Sequence, residues 1–259
     1  MYSKDFGKTF SASLKQVSGA VGKGITAGSK EIIWRVLEEL PELAGEWIVF
    51  RVSISGGEMV HCTGIPTEIV KVRNPITGRI WMDRNLGASR AAKSSSDKAA
   101  YGDLYQWGRF GDGHQCRSSA TTTNCSKSDT PEHGKFIIPS GNSRNDWRVP
   151  QNDNLWQGAQ EISNPCPSGF RLPTDAEWQS ERKSWNSNST EGAWKSNLKL
   201  PLGGIRNING SQSDVGSCGY YWSSTFSGAY ASFLHFGSTY ANLSTFFRGS
   251  GISVRCIQD

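Results

Sequence analysis

The chain has 259 residues, a formal net charge of +5, 36% hydrophobic and 20% charged residues, 29 Gly and 10 Trp. That composition excludes a disordered tail and leaves room for one large domain or two smaller ones. Lys and Arg are scattered among acids without a basic run, so the charge reads as a solvated surface and direct base reading is not expected.

No run of about 18 apolar residues occurs, so no segment reads as a membrane span. The first part of the chain has neither a continuous apolar core nor a plausible cleavage site, and no signal peptide is expected. Cysteines stand at positions 62, 116, 125, 166, 218 and 256, none in a CxxC pair, and only four His are present, so a zinc site has little support. Disulfides would call for an oxidising destination. Release in a phage particle, or non-classical export to a cell surface, would reconcile them with the missing signal.

In chain order, Phe10, Leu14, Val17, Val21 and Ile25 recur at spacings of three and four, a helical pattern that Gly19, Gly22, Gly24 and Gly28 weaken. Either an oligomer-forming or docking helix or a partly ordered leader is expected there. Lys30 to Leu40 reads as a better helix bounded by Pro41. Glu46 to Ser55 reads as a strand, Gly56-Gly57 as a turn with Glu58 to Cys62 as its return, and Glu68 to Arg73 as another short strand. These pieces make a small N-terminal module over residues 1–72, followed by a larger domain over 73–259.

From Asn74 the character changes. Asn74 to Gly78 is a turn and Arg79 to Met82 a short strand. Tyr101, Tyr105, Trp107 and Phe110 read as core. Residues 112–165 form a long polar stretch that Trp147, Val149, Leu155 and Trp156 would pin back, and a Cys116–Cys125 bridge is physically reasonable there. Thr174 and Glu177 have the spacing of a capping box, opening a helix through Glu181 with Trp178 facing the core. Gly192 to Leu202 is a weaker helical segment, and Gly203-Gly204 begins a strand-turn region.

The closing block is the most unusual. Ten of the 28 residues from Tyr220 to Phe247 are Phe, Tyr or Trp, and no Asp, Glu, Lys or Arg lies between Asp214 and Arg248. Rigid aromatic rings among Ser, Thr, Ala and Gly suit a binding surface as well as they suit an aromatic closing hairpin of a β-rich core.

Arg79 to Gly87 (RIWMDRNLG), Tyr101-Gly102 with Tyr105 to Gly108, Cys166 to Thr174 with Glu177-Trp178, Tyr221 to Thr225 (YWSST) and Ser253 to Cys256 (SVRC) together resemble the Fibrobacter succinogenes major paralogous domain, in order, from about residue 74 to the end. The resemblance implies an α+β, C-type lectin-like fold of the formylglycine-generating-enzyme type, with long loops. It also implies kinship with the variable proteins of diversity-generating retroelements, in which adenine-directed mutagenesis changes scattered positions near the C terminus. Carried onto this chain, the framework would be Tyr221, Trp222, Ser223, Ser224, Leu234, Phe236, Arg248, Gly251, Ser253, Val254, Arg255 and Cys256. The variable, ligand-binding positions would be Phe226, Ala229, Tyr230, Ser232, Phe233, His235, Gly237, Tyr240, Ser244, Thr245, Phe246 and Phe247. Leu234 and Phe236 alternate with Phe233, His235 and Gly237, as a strand with one held face and one free face requires. The resemblance further implies a Cys166–Cys256 disulfide; a Cys62–Cys218 pair is weakly motivated, and six buried thiols remain the alternative.

The expected function is therefore non-enzymatic binding of a protein or glycan on a cell or virion surface, with Phe226, Tyr230, Phe233, Tyr240, Phe246 and Phe247 as anchors. A structural surface or phage-tail component that uses the block as a subunit interface is the alternative. A cysteine-dependent oxidoreductase is disfavoured, since Cys218 has no partner cysteine nearby in sequence and fold kinship does not carry chemistry. Asn145-Asp146-Trp147 resembles part of a lectin calcium site, but the proline-containing partner is missing nearby. The sequence allows a structural calcium and calls for no other cofactor.

Overall fold

The computed structural model describes residues 2–4, 11, 14–19, 31–42, 48–50, 59–141, 143–159, 161 and 163–259. It divides into two compact units, Met1–Gly57 and Glu58–Asp259.

In the first unit, Tyr2–Ser3 pairs antiparallel with Val49–Phe50, and Val17–Gly19 with Ile32–Trp34. The helix expected from Lys30 to Leu40 is therefore a strand followed by a single turn, Val36–Glu39. The β-branched Ile32 and Ile33 fit a pleated pair better than a helix. Trp34 then meets Tyr2 and Phe50 at 5.2 and 5.8 Å and donates its indole N–H to Glu39 at 2.9 Å. Val17 of the expected N-terminal helix is likewise extended, and Gly19 ends that strand at φ +90°, where a Cβ would fall 2.6 Å from the Glu31 carbonyl oxygen. Phe10, Val21 and Ile25 lie outside the described residues, as do the Gly56-Gly57 turn and, apart from Ile48, Val49 and Phe50, most of the Glu46 to Ser55 strand.

The second unit is an α+β assembly of several small open sheets and few short helices. It begins before Asn74, because three attachments tie residues 59–73 into it. Cys62 is bonded to Cys116, the Val60 N–H donates to Gly111, and Lys71–Arg73 pairs with Ile80–Met82. Ile80–Met82 also pairs with Ile257–Gln258, which pairs with Phe170–Arg171, so the end of the chain is the inner strand of this sheet. A second four-stranded sheet runs Gln212–Ser213, Ile205–Arg206, Gly251–Ile252, Tyr105–Gln106. The third sheet is the three-stranded meander Gly219–Ser227, Tyr230–Phe236, Ala241–Phe247.

The capping box forms as its spacing predicts. Thr174 accepts from the Glu177 N–H, and Glu177 accepts from the Thr174 N–H, opening the helix Asp175–Lys183. That helix buries Trp178 against Trp81 and Tyr221. The weaker segment is helical over Thr190–Lys195.

Most of this unit is loop, so its backbone carbonyls need donors other than ladder partners. Buried tryptophans supply them. Trp107 donates to Ser223 (2.8 Å), Trp147 to Trp107 (2.6 Å), Trp156 to Ser163 (2.7 Å), Trp178 to Trp222 (3.0 Å) and Trp222 to Tyr105 (2.7 Å). Trp147, Leu155 and Trp156 do pin the long 112–165 stretch, but Val149 is exposed. Buried Arg255 works the same way, reaching Asn85 Oδ1 and the carbonyls of Met82 and Leu198.

Cys166 is bonded to Cys256. The Cys116–Cys125 and Cys62–Cys218 pairings do not form. Gln115 Nε2 donating to the Val60 carbonyl holds Cys116 toward Cys62, while Cys125 packs against the core with its thiol 3.8 Å from the Asp146 carbonyl oxygen, and Cys218 is a free thiol. Tryptic mapping without reduction should recover Cys62–Cys116 and Cys166–Cys256 peptides and no Cys116–Cys125 peptide. Trp178→Phe keeps most of the ring but strands the Trp222 carbonyl, and should lower unfolding stability by about 1–3 kcal/mol in a urea titration.

Candidate ligand-binding face

The meander is built on a strand that leaves its own hairpin midway. The strand opens on Gly219 for a steric reason: a Cβ there would sit 2.2 Å from the Phe236 ring. From there Tyr220 pairs with His235, Tyr221 with Leu234 and Trp222 with Phe233, and the register shifts before Phe226 meets Ala231. In the gap the Trp222 N–H donates to Ser253 and the Ser224 N–H to Pro173, while the Ser224 carbonyl accepts from Gln157 Nε2. The YWSST segment is thus anchored to three separate parts of the unit.

Alternation along the strands separates two sides. Tyr221, Leu234, Phe236 and Ala241 pack with Trp81 and Trp178. Trp222, Ala231 and Phe233 pack with Trp107 and Trp156, joined at the edge by Tyr220, Phe226 and Phe246. All twelve positions assigned to the framework, from Tyr221 to Cys256, are buried. Arg248 is clamped over the Trp107 and Phe226 rings, donating to Asp153 and the Gly228 carbonyl at 2.7 and 2.9 Å.

The twelve positions assigned to ligand binding are placed less uniformly. Tyr230, Ser244 and Thr245 are exposed; Phe226, Ala229, His235, Tyr240, Phe246 and Phe247 are half-buried. Ser232, Phe233 and Gly237 are enclosed. Ser232 points to the helix side, where its hydroxyl hydrogen-bonds Asp175 at 2.8 Å. Phe233, expected on the free face, is covered by the rings of Tyr220, Trp222 and Phe246 at 5.9, 6.2 and 5.9 Å. A Cβ at Gly237 would lie 2.8 Å from the Tyr240 ring, so that glycine makes room for its neighbour. The registers also divide the set between sides. Tyr230, Thr245 and Phe247 align with Ser232, whereas Phe226, His235, Ser244 and Phe246 align with Phe233.

Asp214, Tyr220 and Asn242 were not legible as site residues. Tyr220 stacks on His235 at 4.3 Å and donates its hydroxyl to Asp214 at 2.8 Å. Asn242 is exposed and opposite His235. Counting by two from Phe233 across the hairpin would have found Tyr220; nothing local marks Asp214.

Tyr240 completes this corner. Its hydroxyl and His235 Nε2 share a 2.8 Å hydrogen bond, and Cys218 Sγ lies 3.7 Å from the same oxygen. Burial pushes the Tyr240 hydroxyl up to about 12 and holds His235 below its ordinary 6.5, against the opposing pull of Asp214. Tyr220 is raised by burial and by its bond to Asp214.

Elsewhere, Asp146 of the Asn145-Asp146-Trp147 segment is buried, accepts from the Arg148 N–H, and is raised to about 6 by burial. Among the described residues, no group of three His, Cys, Asp or Glu side chains is placed to hold a metal ion, and no helix is long and apolar enough to cross a membrane. No protein-family model, curated protein or solved structure matches this chain.

His235 folds with a depressed pKa, so its contribution to stability is present above 6.5 and is lost as pH falls through the folded value. Following the imidazole protons by NMR should give a midpoint below 6.5. Urea midpoints should fall over the same acid range, and that part of the fall should be missing in His235→Gln.

Proposed function

We propose that this chain is a non-enzymatic binding protein whose meander carries a diversified recognition face. It would be a variable protein of a diversity-generating retroelement with a C-type lectin-like domain. The observation that carries this reading is the contrast in packing within one short stretch. Tyr221, Trp222, Leu234, Phe236, Arg248 and Arg255 are buried and held by the rest of the unit, while Phe226, Tyr230, His235, Tyr240, Ser244, Thr245, Phe246 and Phe247 keep exposed surface between them. Main-chain pairing holds the strands whatever side chains stand at exposed positions such as Tyr230, Ser244 and Thr245, while Phe226 and Phe246 also pack against the core edge.

A protein partner fits the side chains best. Phe226, Phe246 and Phe247 offer apolar area, Tyr230 and Tyr240 add rings with a polar tip, and Ser244, Thr245 and Asn242 supply adaptable hydrogen bonds. Rigid aromatic anchors among small polar residues are the composition of protein-recognition surfaces. Phe233 supports the Phe226, His235 and Phe246 side from within, and Ser232 the Tyr230, Thr245 and Phe247 side.

Two experiments test the reading. The DNA beside the coding sequence should hold a reverse transcriptase and a near-copy of the stretch for residues 220–256 that differs at adenines; finding neither removes the diversification. On an array of extracellular proteins and glycans, Tyr240→Ala with Phe246→Ala should abolish protein capture while circular dichroism stays unchanged. Capture unchanged by the double substitution, or capture confined to glycans, counts against the assignment. Loss of self-assembly in light scattering, with no captured partner, would instead make the block a subunit interface.

A further inference from the structure

We propose that the Asp214 corner of the meander receives a cationic side chain, a lysine or arginine of the protein partner; the inference rests on the recognition-face reading above and names the chemistry of one contact in it. Asp214 lies in the turn after Gln212–Ser213, in the left-handed region at φ +57°, with its carbonyl accepting from the Ser217 and Cys218 N–H groups at 3.0 Å each. The turn therefore fixes where the carboxylate stands. One oxygen, Oδ2, takes the Tyr220 hydroxyl at 2.8 Å and, more loosely, the Ser213 hydroxyl at 3.5 Å. The side chain is exposed and makes no ion pair among the described residues. The flanking cations are engaged elsewhere: Arg206 donates to Ser119 and Gly210, Arg117 to Gly102 and Gln212, and Arg248, the first Lys or Arg after Asp214, to Asp153.

Tyr220 touches the carboxylate through its hydroxyl, and His235 and Tyr240 pack behind it within range of its charge. Tyr220 lies on His235 with 4.3 Å between centroids and 17° between planes, and Tyr240 meets His235 edge-on at 4.8 Å. The Tyr rings carry negative π faces, and burial holds His235 below 6.5, which favours its neutral form at pH 7. A carboxylate with a free oxygen beside such faces attracts an ammonium or guanidinium by both charge and quadrupole. An anion meets only repulsion there. With a net charge of +5, this chain does not steer cations by its overall field. The corner therefore acts at contact, choosing among partners by whether they place a basic side chain here, and not by accelerating encounter.

The probes are tetramethylammonium chloride and L-argininamide, titrated into the full chain against sodium chloride at matched ionic strength, with aromatic ring protons followed by NMR. Saturable shifts confined to Tyr220, His235 and Tyr240 are expected, and Asp214→Asn should weaken them about tenfold with the rest of the spectrum unmoved. Shifts no larger than those from sodium chloride, or shifts equally strong in Asp214→Asn, overturn the proposal. Should Asp214→Asn unfold the turn, Tyr240→Leu serves instead, since it removes a ring face and leaves the carboxylate in place; undiminished shifts there also overturn it. Absent cation binding together with partner capture that still depends on Tyr240 and Phe246 removes this contact and leaves the recognition face standing. Cation binding without any captured partner does the reverse.

Discussion

The second unit depends on how the backbone of Trp222, Ser223 and Ser224 is satisfied. The hairpin ladder breaks after Trp222, and each carbonyl there takes a donor from elsewhere: Trp178 for Trp222, Trp107 for Ser223, Gln157 for Ser224. The three donors come from the capped helix, from the segment after Tyr105–Gln106 and from the long polar loop. An unpaired buried carbonyl costs on the order of 1–3 kcal/mol, so the segment ties three regions together by a penalty that each would incur if it moved away. The rings that carry the donors also fill the core, which lets one residue type do two tasks in a unit with little regular structure.

The same need for donors explains the buried arginines. Arg255 directs its N–H groups to Asn85 and two carbonyls, and Arg206 to Ser119, Gly210 and Cys116. Burial pulls both below the usual guanidinium range, Arg255 to about 10, so Arg255 stays charged at neutral pH. The Cys166–Cys256 bridge adds a covalent tie across 90 residues, between the central segment and the inner strand of the sheet that closes the unit. With these ties in place, the exposed positions Tyr230, Ser244 and Thr245 carry little of the fold's stability, and the proposed recognition chemistry can reside there.

Local signals are legible in the sequence where the contacts that make them are themselves local. The Thr174–Glu177 box and the Asn74 to Gly78 turn rest on contacts within a few residues, and each forms, as does the short strand near Ile80, which the same turn pairs with Lys71–Arg73. The N-terminal helix at Lys30 to Leu40 misled because its apolar spacing fits a helix, whereas Ile32 and Ile33 pair with Val17–Gly19 some way back in the chain. Cys116 misled for the same reason: a nearby Cys125 was in view, and the segment that clips Cys62 beside it was not. Phe233 alternates correctly with Leu234, but alternation says which side a residue faces and not whether another ring lies on that side.

The sequence by itself determined an α+β chain with a charge-free aromatic block near its end, a capped helix before it, and a two-sided alternation along the middle strand, both sides of which are packed. Those follow from composition, spacing and the twofold period of a strand, all of which are local. Only the tertiary structure decided which outer positions stay open, because that depends on rings and loops brought from far along the chain. It enclosed Ser232, Phe233 and Gly237, and it set Asp214 beside Tyr220, His235 and Tyr240. A carboxylate in a distant turn carries no mark of the ring it will meet.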